Sequence, residues 1–315
     1  MLSLHTNNAA LSAQSAISKT QSNLSTSMTR LSTGFRINSA MDDAAGLQIA
    51  SRLKAQTSGM AVAMRNTQNS TSMLQTAEGA LDEVSNMLIR MKDLATQAAD
   101  ASSTTEDKTA MQSEFDALGK ELANVMKNTT FGGKNLLAGT AAVAAIPGPP
   151  AIPAVDAKPG TLSSKMTFQI GASASETMEI DLSANMTTLG TALNAATTNY
   201  NTPATAGTEL VGTVAGTPPV RTETANATIT KLATALDAVG TVRSGLGAAA
   251  NRLDHVYNNL SNISTNTKAA TGLIMDVDFA TESANMTSSQ MLLQAGTAML
   301  KQSNSMSSMV MSLLQ

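Results

Sequence analysis

The chain has 315 residues and a formal net charge of −3, with 14% charged and 2% aromatic residues. It has no Cys, which excludes disulfides, thiol nucleophiles and thiolate metal sites. Scattered Lys and Arg without an aromatic platform argue against nucleic acid, and no apolar run reaches the roughly 18 residues that insert in a membrane.

Met1 to Thr29 carries a single formally charged side chain, Lys19. Leu4 and Leu11 are seven residues apart, as are Ile17, Leu24 and Leu31, which is coiled-coil spacing. Ordinary exposed helices surround such a stripe with charge, whereas Ser, Asn, Gln and Thr surround this one. The first ten residues lack a basic segment followed by an apolar one, so no ordinary secretory signal is expected. Gly34 is a natural stop for the first helix, and Asp42 and Asp43 stand where a second would start.

That second helix is predicted from about Ala44 to Ala99. Leu74, Leu81, Leu88 and Ala95 form one seven-residue row, extended backward by Leu53 and Met60. Ala77, Val84, Met91 and Ala98 form the companion row. At 1.5 Å per residue the helix is about 80 Å long, too long for a compact globule. Ser103 to Glu106 reads as a capping box for a third helix, striped by Met111, Phe115, Leu118, Leu122 and Val125. It ends before Phe131-Gly132-Gly133, where the glycines force a turn.

Residues 141–165 are rich in Ala, Pro and Gly and read as an extended loop. Met166 to Ile170 and Met178 to Leu182 each alternate apolar and polar, which predicts a hairpin near residues 166–182. Residues 183–223 are assigned, with 141–165, to variable outward loops or a small outer domain. Leu232, Val239, Leu246, Leu253 and Leu260 then fill one heptad position, and Ala235, Val242, Ala249, Val256 and Ile263 the other. A break near Gly272 precedes Asp276-Val277-Asp278.

From Ser283 to Gln315 the single formal charge is Lys301, and Leu292, Met299, Met306 and Leu313 are seven apart. Both ends are therefore expected to pair and then to pack on copies of themselves. The predicted fold is mainly α. It is a long antiparallel coiled-coil rod with paired terminal helices and an irregular, hairpin-containing middle. Residues 1–42 and 276–315 make the terminal helices, and 43–182 with 224–275 make the rod.

No constellation supports catalysis or a cofactor. Asp276, Asp278 and Glu282 are not read as a metal site, because a Ca²⁺ loop needs more oxygen ligands and a Gly at set spacing; the Asp pair is read as capping a helix N-terminus. His5 and His255 have no triad partners. Gly132-Gly133-Lys134 lacks the upstream Gly of a phosphate loop, since position 128 is Asn128. The 20 Met residues fit either a deformable, switchable interface or simple replacement of Leu and Val in a core.

Leu31 to Gln56 reads LSTGFRINSAMDDAAGLQIASRLKAQ. This resembles the N-terminal signature of bacterial flagellins, L-S-(S/T)-G-x-R-I-N-(S/R)-A-x-D-D-A-A-G-x-x-(I/V). The likeness continues through Leu74 to Leu81, Met91 to Ala95 and Phe131 to Leu137. In the second half Leu246-Gly247-Ala248, Asn251-Arg252-Leu253, Asn258-Asn259-Leu260, Gln294-Ala295-Gly296-Thr297 and Ser312-Leu313-Leu314 match the family's C-terminal motifs. It covers about Met1–Leu137 and Thr224–Gln315. Leu24 to Met28 looks more like lateral than polar flagellins. Two departures stand out: Ser305 to Met309 lacks the Pro often found there, and Ile89 replaces a Gln.

The resemblance implies a structural subunit that self-assembles into the extracellular flagellar filament for motility, exported through the flagellum's own channel without a cleaved signal peptide. It implies an inner core made by the terminal helices. It also implies partners: an export chaperone, a filament cap and hook-junction proteins. Arg90, Leu94 and Glu114 match positions recognised by Toll-like receptor 5; without the resemblance they read as a solvated helix face. The alternatives are a hook–filament junction protein, which has similar ends, and a coiled-coil signalling protein, which would carry charged flanks and a membrane span.

Overall fold

The computed structural model describes residues 7–138, 160–201, 207–211, 214–215, 220–221 and 225–313. Helix α1 (Asn8–Thr33) starts on Asn7, whose side chain accepts the Ala10 N–H at 3.1 Å. It stops at Gly34, where φ is 76° and the N–H donates to the Arg30 carbonyl at 2.9 Å. That left-handed conformation strains any residue with a Cβ, and Gly is the residue present.

The short connection to α2 (Ala44–Ala99) is held by Asp42 and Asp43. The N–H groups of Ser39 and Asn38 donate to the Asp42 carboxylate and hold it below the ordinary aspartate value. The Gly46 N–H donates to Asp43 at 2.8 Å. Helix α3 (Thr105–Asn128) opens on a capping box, but one residue later than Ser103–Glu106. Thr104 is the cap: its hydroxyl accepts the Asp107 N–H while Asp107 accepts the Thr104 N–H at 3.0 Å. Ser103 instead donates its hydroxyl to the Gln97 carbonyl, at the end of α2.

Strands β1 (Thr130–Phe131) and β2 (Lys134–Asn135) pair across Gly132 and Gly133, at φ 59° and 79°. A two-residue hairpin with positive φ at both centres requires such residues. After a 3-10 turn at Thr161–Ser163 come β3 (Met166–Gln169) and β4 (Thr177–Ile180). They are antiparallel, with Met166 opposite Ile180 and Phe168 opposite Met178. These four apolar side chains occupy the covered face, and Thr167, Gln169, Thr177 and Glu179 the exposed one.

Residues 183–196, assigned above to variable outward loops or a small outer domain, form a helix, α4 (Ser183–Ala196). Met186, Leu189, Leu193 and Ala196 recur at spacings of three and four and are buried. Many Thr and Asn residues around Gly190 masked that stripe in the sequence. Strands β5 (Val214–Ala215) and β6 (Val220–Arg221) pair antiparallel. Helix α5 (Ala225–Met275) runs past Gly272, so the break falls at residues 276–278. Helix α6 (Phe279–Leu313) is continuous across Ser305 to Met309, where Pro is absent.

The chain divides into two compact units, Met1–Ser58 with Asn262–Gln315, and Gly59–Ser261. The second holds the main hydrophobic core. There α2 and α5 run antiparallel, with Arg243 reaching Asp82 at 3.0 Å and Glu78 at 3.6 Å, and Leu260 packing on Met60 and Ala63. Leu74, Leu81, Leu88, Leu232, Val239, Leu246, Leu253 and Leu260 are all buried. Val256 is half-buried and Ile263 is exposed, so the companion heptad row is not covered along its whole length. Helix α3 adds Phe115, Leu122 and Met126, and the β3–β4 hairpin and α4 close the core. Among the described residues no helix is long and apolar enough to cross a membrane.

A helix pair with no apolar core

In the first unit α1 and α6 lie antiparallel. Asn7 Nδ2 donates to Ser303 Oγ at 3.2 Å near one end, and Arg30 faces Glu282 near the other. Apart from Arg30, the half-buried residues of α1 are Ala10, Ala13, Ile17, Thr20, Leu24 and Leu31, with Ser27 fully buried. On α6 they are Met286, Ser289, Leu293, Gly296, Leu300 and Ser303, with Glu282 buried. Each set alternates spacings of three and four, so the seam is coiled-coil-like. Small or polar residues fill more than half of its positions. A Cβ built on Gly296 would lie 2.9 Å from Ile17 Cγ1, which shows how closely the helices approach.

The two fully buried residues of the pair among those described are thus Ser27 and Glu282, both polar. Glu282 sits 3.8 Å from Arg30 Nη1, and Arg30 Nε is buried without a hydrogen-bond partner. An ordinary helix pair of this length buries a row of Leu or Ile. This one does not.

The sequence stripe splits between two faces. Ile17, Leu24 and Leu31 turn into the seam. Leu11 faces out, as do Leu292, 60% exposed, and Met299, 69% exposed. The seam of α6 is set by Leu293, Gly296 and Leu300, one residue on from the Leu292–Met299 row. Sequence reading missed that inner row because Gly296 and Ser303 interrupt it. Leu4 and the side chains of Met306 and Leu313 lie outside the described residues.

At the helix break Phe35 and Asp276 form an isolated antiparallel bridge, and the Val277 N–H donates to the Gly34 carbonyl at 3.0 Å. Asp278 caps α6. It accepts the Thr281 hydroxyl at 2.6 Å and the Ala280 N–H at 3.0 Å, and these bonds hold its carboxyl below the usual aspartate value. Among the described residues no three His, Asp or Glu side chains form a metal-holding group.

In the second unit Arg90 and Glu114 meet, with Nε at 2.9 Å and Nη2 at 2.6 Å from the carboxylate. Leu94 departs from the expected exposed patch. At 3% exposure it belongs to the α2 core row, one helical turn beyond Met91 on the same face. His255 lines an open cleft of about 490 Å³ with Arg252, Glu179 and Met178. One cluster had no sequence signal. Gln112 Nε2 donates to Asp116 at 2.8 Å and to Glu209 at 2.9 Å, both carboxylates being buried. Asn199 Nδ2 and the Gly207 N–H complete Asp116, and the Thr198 N–H completes Glu209. Residues 91 and 97 apart in sequence meet here, so no local pattern announces them.

Two family models match the chain. The bacterial flagellin N-terminal helical region covers residues 4–142, and the bacterial flagellin C-terminal helical region covers residues 229–314. Flagellin A of Vibrio anguillarum is 35% identical over an alignment of 377 positions, covering 100% of both chains. Polar flagellin C of Vibrio parahaemolyticus serotype O3:K6 is 34% identical over 382 residues, again covering 100% of both. Among solved structures, one assigned as a flagellar hook-associated protein from Vibrio parahaemolyticus matches with TM-score 0.50 at 17% identity. That match covers 74% of this chain and 99% of the other, and speaks to fold alone.

Proposed function

The chain belongs to the bacterial flagellin family, and from that premise we propose how it enters the filament. It is a structural subunit that self-assembles into the bacterial flagellar filament and serves motility. The terminal helices take the inner core, and the outward face of α1 and α6 is the surface on which copies dock. Residues 141–165 and 183–223 lie toward the outside of the polymer. The role is mechanical and not catalytic.

One observation carries this reading: a pair of helices of 26 and 35 residues whose two fully buried side chains, among those described, are polar. Ordering each residue costs about 1–2 kcal/mol, and burial of Ser27 and Glu282 offsets little of that. Neighbouring copies supply the missing cover, so the ends become fully ordered as they assemble. Identical subunits joined head to tail without closure give a helical filament.

By family resemblance, the C-terminal segment also meets an export chaperone before assembly. The polymer is outside the cell, capped at its tip and joined to hook-junction proteins at its base. Recognition by Toll-like receptor 5 uses the exposed Arg90–Glu114 pair, with Leu94 supporting the helix from beneath.

A single charge on the docking face tests the reading. Leu292→Glu is expected to leave the monomer's helical circular dichroism unchanged and to abolish the filaments that wild type forms on salting. Filaments at the wild-type rate, seen by sedimentation and electron microscopy, would remove α6 from the docking surface.

A further inference from the structure

The outward face of α6 carries thioethers as well as Leu292. Met291 is 60% exposed and Met299 69% exposed, eight residues apart on a helix with Lys301 as its one formal charge after Glu282. Core methionines of the same chain contrast sharply: Met91 is 0% and Met87 6% exposed. Thioether oxidation follows exposure, so one reagent separates these classes. The chain has no Cys to react first.

We propose that Met291 and Met299 form an oxidation-sensitive modification site that controls assembly, with hydroperoxides as the reacting class. The inference rests on reading the outward face of α6 as the docking surface. In the reaction the thioether sulfur attacks the distal peroxide oxygen. The O–O bond breaks, an S–O bond forms, and the proton of the attacked oxygen passes to the departing alkoxide or hydroxide. Sulfur loses two electrons and becomes a sulfoxide, and the hydroperoxide is reduced to the alcohol, or hydrogen peroxide to water. The product is a strong acceptor on a surface that must become dry. Oxidation makes an apolar, flexible contact polar and bulkier where a copy must pack, and a hydroxyl recruited to the new oxygen must leave a bond it already makes, as Thr297 does to the Gln294 carbonyl.

The site has a direction in time. Before docking, both sulfurs are open to solvent and the subunit is sensitive. Once a neighbouring copy covers α6, the same sulfurs are protected. Oxidation therefore stops growth without dismantling filament already made.

The test treats purified monomer with hydrogen peroxide and maps each methionine by peptide mass spectrometry. Met291 and Met299 are expected to oxidise at least about tenfold faster than Met87 and Met91 in monomer, and about as slowly as them in filament. The oxidised monomer's growth rate, relative to the same protein untreated, is expected to fall about tenfold or more and to recover with methionine sulfoxide reductase. A Met291→Leu, Met299→Leu variant, compared with its own untreated state, is expected to lose less than about twofold. A Met41→Leu variant, changed at a 97% exposed methionine between α1 and α2, keeps the full sensitivity. Equal oxidation rates at Met299 and Met91 would overturn the proposal, as would an equal loss of growth in the Met291/Met299 variant. Leu292→Glu separates the two readings. If it blocks growth while oxidised wild type grows normally, the oxidation site alone fails. If it grows normally, the docking surface fails first.

Discussion

Leu253 and Asn251 are two residues apart on α5, and the structure puts one in the core and the other in solvent. Leu253→Ala removes a fully buried side chain from a seam that offers little room to collapse. The expected loss is about 2–5 kcal/mol in urea unfolding of the monomer. Asn251→Ala touches no core residue, and its effect is expected to stay within about 0.5 kcal/mol. Comparable losses at both sites would mean that the buried face of α5 is misplaced. At this scale the heptad rows were readable because Leu232, Val239, Leu246 and Leu253 recur every seven residues and are buried within the same unit. The seam of α6 was not. There Leu292 and Leu293 are adjacent and equally apolar, and the choice between them depends on Gly296, whose missing Cβ lets Ile17 approach. Which of two adjacent leucines turns inward is a question of shape, and periodicity alone does not answer it. Likewise Leu94 was grouped with Arg90 and Glu114 through resemblance, although its spacing from Leu81, Leu88 and Met91 places it on the core face.

Helix limits were legible wherever a side chain caps the backbone. Gly34 and Asp43 bound α1 and α2 as their chemistry demands. The α3 cap slid by one residue because Thr104-x-x-Asp107 competes with Ser103-x-x-Glu106 and Ser103 is taken by the Gln97 carbonyl. Residues 197–201 and 207–210 had no signal, since their order comes from α3 through Gln112 and Asp116. The cap of α6 makes a pH prediction. The Thr281 hydroxyl first, then the Ala280 N–H, hold the Asp278 carboxyl below its ordinary value of 3.8. A lowered folded-state value means the charged form is favoured by folding. That stability is complete above the unfolded-state value and is lost as pH falls through the lower, folded one. Wild type is therefore expected to lose more thermal stability than Asp278→Asn between about pH 5 and about pH 2. Other capped aspartates, Asp42 and Asp107 among them, are common to both proteins and cancel in the difference. Parallel pH profiles for the two would remove Asp278 from the cap.

At the scale of the whole molecule, the two units are built on opposite principles. Gly59–Ser261 encloses Phe115, Leu122, Met91 and the heptad leucines and is complete in itself. Met1–Ser58 with Asn262–Gln315 pairs α1 and α6 through half-buried, often polar contacts and leaves Leu11, Leu292 and Met299 in solvent. One unit is stable because of what it buries, and on the reading proposed above the other becomes stable when a copy covers it. Deleting Gln290–Gln315 tests that division. The deletion removes most of the α6 seam and the whole Leu292–Met299 row, but no residue of the main core. The truncated chain is expected to remain a helical monomer with the cooperative thermal transition of Gly59–Ser261 intact, and to form no filaments under salting conditions that polymerise the full chain. Loss of that transition would show that the core depends on the terminal helices. Filaments from the truncated chain would show that assembly runs through a different surface, and Leu292 and Met299 would then be exposed for a reason unrelated to docking.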